Sequence, residues 1–125
     1  MTDSRFLDSS AWLSYFYAEN EEIKIIVESE TMLLTSAISV FEIKNKLIRN
    51  KAETIRIQKL LEFIKKRSLI INLDYQTAEK AVDFSIKNSL HSIDALIYSS
   101  ALKNMSILIT LDNDFRGLEN VEFVK

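Results

Sequence analysis

The chain has 125 residues, of which 47% are apolar and 27% charged, with a formal net charge of −2. Its length and balance are those of one globular domain, expected to span residues 1–125. It has no cysteine, one histidine and one glycine, which excludes disulfides, thiolate nucleophiles, Cys-ligated zinc, iron–sulfur clusters, multi-His metal sites and glycine-rich phosphate loops.

Residues 5–8 (RFLD) read as a first strand, and Ser9 or Ser10 as the cap of the helix behind it. On that helix Trp12, Tyr15 and Phe16 fall at i, i+3 and i+4, an aromatic face large enough to serve a partner as well as the core. Residues 20–29 form a second helix, with Glu21 and Glu22 suiting the positive end of its dipole. A second strand follows at 31–35. Thr35 or Ser36 then caps a helix whose core stripe is Val40, Ile43 and Leu47.

Near Ala52 another helix begins, burying Ile57, Leu60, Leu61 and Ile64, and residues 69–73 make the third strand. The helix over 75–88 is expected to turn Ala78, Ala81, Val82 and Ile86 inward. A helix from Ser92, a strand over 106–111, a helical turn over 113–118 and an edge strand over 121–124 complete the chain. Five short apolar strands separated by helices, none strictly alternating, predict a three-layer α/β/α sandwich around a mostly parallel sheet. No apolar run approaches the ~20 residues that span a bilayer, and no basic stretch with an apolar signal core opens the chain, so a cytoplasmic protein without membrane contact is expected.

Charge is unevenly spread. Nine basic residues against Glu53 and Glu62 lie between Lys44 and Arg67, a local excess of seven, so the rest of the chain is strongly acidic. One surface is therefore suited to a polyanion, although solvated basic helix faces give the same count.

In a parallel sheet all strands end at one edge, where open α/β proteins place their sites. Asp8 and Asp112 each close a strand, Glu42 lies early in the helix after the second strand, and Asp94 lies in the first turn of a helix leading into a parallel strand. Topology brings these four acids together. Each alone has a structural reading: Asp8 starts a turn, Glu42 pairs with Lys46 one turn on, Asp94 complements a helix dipole and Asp112 caps a helix. Two unit charges about 5 Å apart repel by roughly 3 kcal/mol at an effective dielectric near 20, so where four gather, either some pKa values rise or a cation sits among them. With oxygen donors only, Mg²⁺ or Mn²⁺ is the candidate, suited to phosphodiester hydrolysis.

These residues resemble a family, the PIN-domain nucleases, and among them the compact VapC-type toxins of toxin–antitoxin pairs. The resemblance covers nearly the whole chain and rests on Phe6-Leu7-Asp8-Ser9-Ser10, Val40-Phe41-Glu42-Ile43, Ser92-Ile-Asp94-Ala95 and Thr110-Leu-Asp112-Asn-Asp114-Phe115. It implies that Asp8, Glu42, Asp94 and Asp112 are catalytic, and that Asp8, Asp94, Asp112 and Asp114 hold the metal. Ser9 and Thr110 would orient carboxylates or water, and the activity would be that of a Mg²⁺- or Mn²⁺-dependent endoribonuclease. A homodimer neutralised by a small antitoxin is implied too; to this the sequence adds Trp12, Tyr15 and Phe16 as a face for a partner helix and Lys44, Lys46, Arg49 and Lys51 for the RNA backbone. Many relatives carry glycine before the Asp94 helix; here Asn88 is expected to take the left-handed turn, with His91 in a structural role.

The alternatives are a housekeeping RNA-processing nuclease without antitoxin and a catalytically silent α/β interaction module. A receiver domain needs paired acids after the first strand and a phosphatase an Asp-x-Asp there, whereas Asp8 is followed by two serines.

Overall fold

A computed structural model describes residues 4–125. The elements are β1 (Arg5–Leu7), α1 (Ser9–Phe16), α2 (Glu21–Glu28), β2 (Leu33–Ser36), α3 (Ala37–Arg49), α4 (Thr54–Arg67), β3 (Ser68–Ile71), α5 (Tyr75–Asn88), α6 (Ser92–Lys103), β4 (Ile107–Thr110), a 3₁₀ turn (Asn113–Phe115) and β5 (Val121–Phe123). The strands pair in the order β3-β2-β1-β4-β5, and every pairing is parallel.

Successive strand residues point to opposite faces, and both faces are covered. Leu7, Leu33 and Ile109 join Trp12, Ile23, Ile43, Leu47, Ile57 and Ile64 in one core, under α1 to α4. Phe6, Leu34 and Leu108 join Ala81, Ala95, Tyr98 and Phe115 in the other, under α5 and α6. This is the expected three-layer sandwich. Because β2 and β3 lie on one side of β1 and β4 on the other, the strand order reverses at β1, leaving a crevice at the carboxyl edge between β1 and β4.

Three local expectations are corrected. Asp8, not Ser9 or Ser10, caps α1, accepting from the Ala11 N–H at 3.0 Å. On α5 the inward residues are Thr77 and Ala81, while Val82 and Ile86 are 55% and 77% exposed. The helix carries two apolar stripes and the α6 hairpin buries only one. Ser89, with φ 55°, takes the left-handed turn assigned to Asn88, which instead ends α5.

Ser89 is one of four such helix ends. Ala18, Lys51 and Met105 also have positive φ, and each motif closes with an N–H five residues past its acceptor: Glu19 to Ser14, Ala52 to Leu47, Leu90 to Ser85 and Ser106 to Ala101, all at 3.0–3.1 Å.

Candidate metal centre

At the carboxyl edge the chain assembles five acids from four separate segments. Asp8 follows β1 directly and is 4% exposed. Its Oδ1 accepts from the Ala11 N–H at 3.0 Å and the Ser10 hydroxyl at 2.7 Å, and its Oδ2 accepts from the Thr110 hydroxyl at 2.5 Å. Glu42 projects from the second turn of α3, the helix that Ser36 caps, and its Oε1 accepts from the Ser9 hydroxyl at 3.2 Å. Asp94 lies in the first turn of α6. Asp112 caps the 3₁₀ turn, accepting from the Asp114 N–H at 3.0 Å.

Asp94, Asp112 and Asp114 each present a carboxylate oxygen, and the three oxygens lie within 4.8 Å of one another. Asp8 and Glu42 stand close enough to be felt. The Asp94 carboxyl is pushed up to about 6, by burial first and then by the charges of Asp112, Asp114, Glu42 and Asp8. Burial also raises Asp8 against its three donors, with the Asp112 charge adding to the rise. Glu42 is raised by burial and by the charges of Asp8 and Asp112, partly offset by the Ser9 hydroxyl. No basic side chain is among the groups that shift these three acids.

The donor set fits a hard divalent cation: oxygens only, negative charge in excess, and three carboxylates at a spacing one ion could bridge. Asp94, Asp112 and Asp114 are the residues that would hold it. A cation there would oppose the upward shifts, since its charge favours the ionised carboxylates.

The structure thus brings together Asp8, Glu42, Asp94, Asp112 and Asp114, with Ser9 and Thr110 hydrogen-bonded to Glu42 and Asp8. It also adds a residue that sequence reasoning cast only as a possible cap: Ser10, whose hydroxyl meets Asp8 and accepts from the Leu111 N–H at 3.0 Å. Its signal was the D-S-S run itself, where the acid takes the cap and frees both hydroxyls.

Other predicted residues lie elsewhere. Lys44, Lys46, Arg49 and Lys51 are exposed on and just beyond α3. Trp12 is fully buried, its Nε1–H donating to Thr35 Oγ1 at 3.0 Å, so it belongs to the core and not to a partner surface. Tyr15 and Phe16, partly buried, line a groove of about 750 Å³ with Leu60 and Phe63 between α1, α2 and α4. Tyr15 stacks on Phe63 with ring centroids 5.8 Å apart and donates to Glu28 Oε2 at 3.0 Å. The aromatic surplus is thus largely consumed by internal packing.

No curated protein sequence matches the chain. Among solved structures it is similar to a toxin–antitoxin complex from Klebsiella pneumoniae, at 23% identity and a TM-score of 0.76, covering 94% of this chain and 95% of that one. It is similar to VapBC2 from Rickettsia felis, bound there to a promoter DNA fragment, at 15% identity and a TM-score of 0.78, covering 98% and 99%. It is also similar to VapC20 from Mycobacterium tuberculosis, a toxin that cleaves the sarcin–ricin loop, at 17% identity and a TM-score of 0.73, covering 96% of each chain. These likenesses are of fold. Over residues 5–121 the sequence matches the PIN domain family model, and with the acids gathered at the carboxyl edge of a parallel sheet, the chain belongs to the PIN domain family.

Proposed function

We propose that the chain is a single-domain, cytoplasmic, Mg²⁺- or Mn²⁺-dependent endoribonuclease and the toxin of a type II toxin–antitoxin pair. The observation that carries the reading is the meeting of five acids from four separate segments, three of them with carboxylate oxygens within 4.8 Å of one another, and among the described residues no ion pair neutralises them. A bound divalent ion supplies activation of water and stabilisation of the phosphate charge during in-line attack. Asp94, Asp112 and Asp114 would hold that ion, Asp8 would offer it one oxygen directly or through water, and Glu42, tethered by Ser9, would accept a proton from the attacking water. The exposed lysines of α3 offer contacts for the RNA backbone.

The antitoxin assignment draws on the solved relatives, several of which are toxin–antitoxin complexes, and on the open groove between α1, α2 and α4. A homodimer is supported by large apolar residues left exposed on α3 and α5: Phe41 at 71% and Ile86 at 77%.

The test is purified protein against a defined RNA with Mg²⁺, Mn²⁺ or chelator, beside Asp94→Asn. Cleavage that needs the ion and falls about 100-fold or more in the folded variant supports the reading; undiminished cleavage by the variant, or by chelated wild type, overturns it.

A further inference from the structure

The exit of β4 and the head of α1 are joined by a pair of hydroxyls arranged alike. Thr110 Oγ1 accepts from the Asp112 N–H at 2.9 Å and donates to Asp8 Oδ2 at 2.5 Å. Ser10 Oγ accepts from the neighbouring Leu111 N–H at 3.0 Å and donates to Asp8 Oδ1 at 2.7 Å. The two hydroxyls lie 3.3 Å apart. Two successive backbone N–H groups, the second belonging to Asp112 itself, are thus relayed through two side chains onto the two oxygens of one carboxylate.

A hydroxyl has one proton and it goes where an acceptor is. Each hydroxyl accepts from a backbone N–H and gives its proton to the carboxylate, the nearest and strongest acceptor, so Asp8 cannot turn without breaking both relays. Without Ser10, Oδ1 would keep only the Ala11 N–H, and the Leu111 N–H would lose its partner. Ser10 closes the frame. It is also the member not carried by β4: it comes from α1, one hundred and one residues from Leu111, so it fixes one segment against another.

We propose that Ser10 is a positioning residue of the metal centre, setting Asp8 in fixed register with Asp112 so that the acids are prearranged for a divalent ion. The proposal rests on the metal-dependent reading above. A carboxylate offers about four lone-pair positions, and Asp8 has three taken, two on Oδ1 and one on Oδ2. Only Oδ2 retains one. Asp8 therefore keeps one lone-pair position, on Oδ2, for the ion or a water bound to it, and Ser10 with Thr110 and the Ala11 N–H fixes its direction.

The decisive measurement is Mn²⁺ affinity without RNA, by calorimetry or by the electron paramagnetic resonance of the free ion, with thermal stability recorded for each protein. Ser10→Ala is expected to bind Mn²⁺ about tenfold more weakly, as outer hydrogen-bond partners of metal ligands do, and Ser10→Thr, which restores the hydroxyl, to return within about threefold of wild type. Ser10→Cys keeps the volume with a weak donor and should follow Ser10→Ala, which covers the case of a poorly folding alanine variant. Ser106→Ala removes a buried hydroxyl pairing with Ser4 away from the acids and should change stability without changing Mn²⁺ affinity. Wild-type affinity in Ser10→Ala, or failure of Ser10→Thr to restore it in a folded protein, overturns the proposal alone. A wild type that binds no Mn²⁺ overturns the metal-dependent reading as well.

Discussion

Asp8 and Asp74 are built alike. Each follows a strand, sits in extended backbone and caps the next helix through Oδ1, accepting from the Ala11 N–H at 3.0 Å and from the Thr77 N–H at 2.8 Å respectively. Their surroundings diverge. Asp74 is half-exposed and carries the Lys103 ammonium on its other oxygen, which together with Thr77 holds its carboxyl well below the usual range. Asp8 is buried, receives neutral donors only, and is raised. An acid at the head of a helix is thus no sign of chemistry. What separates a cap from a site is whether the fold places a cation on it, and at the carboxyl edge, among the described residues, it places none on Asp8, Glu42 or Asp94 and adds further acids instead.

The sharpest way to break this contrast is to neutralise each acid in turn. Asp8→Asn should lower RNA cleavage by about 100-fold or more, because it removes charge from the metal centre and reverses a hydrogen bond with Ser10 or Thr110. Asp74→Asn retains a good cap, loses an exposed ion pair and should cleave like wild type; single-turnover assays on both variants decide it.

A second, smaller effect concerns where the cations are kept. At Asp74 one sits on the acid, whereas Lys44 and Lys46 stay exposed on α3. Reversing Lys44 and Lys46 together to Glu should weaken RNA binding about tenfold and flatten its salt dependence, read from binding isotherms at two ionic strengths, while leaving Mn²⁺ affinity intact.

The smallest effect is one of stability. With a folded-state pKa of about 6 against 3.8 unfolded, the folded chain keeps the Asp94 proton between those values. The stabilisation this gives is full below about pH 4 and lost as pH rises through 6, the opposite of Asp74, whose contribution is present at neutral pH and lost on acidification. In chelator, Asp94→Asn should be more stable than wild type at pH 7 by about 1 kcal/mol, after allowing for solvent screening at this partly exposed group, and equal to it near pH 4; urea unfolding at the two pH values measures this.

Much of this was readable in the residues. Unbroken apolar runs such as Leu33-Leu34 and Ile107 to Ile109 indicated strands buried on both faces, and a parallel sheet then implied that Asp8, Glu42, Asp94 and Asp112 would share an edge. What could not be read was the choice among equivalent local solutions. Ser9, Ser10 and Asp8 are all good caps, and only the third dimension shows that the serines are claimed by Glu42 and Asp8. Periodicity marked Val82 and Ile86 as an apolar stripe of α5 but not which stripe α6 would cover. Trp12 was placed on a face with aromatic surface to spare, yet it is fully buried, and Thr35, reached across the fold, satisfies its N–H. Asp74 escaped notice because its partner is twenty-nine residues away.

The left-handed helix ends have a bearing on how this protein can change. A side chain in that region costs about 1–2 kcal/mol relative to glycine, partly recovered through lower chain entropy when unfolded, and the sequence has spent its only glycine, Gly117, elsewhere. Ala18 and Met105 are exposed and lie in the turns after α1 and α6. They amount to unclaimed thermal headroom: a lineage or an engineer that places glycine there gains tolerance for destabilising substitutions around the acids, so the rim can be retuned to new substrates without the sandwich coming apart.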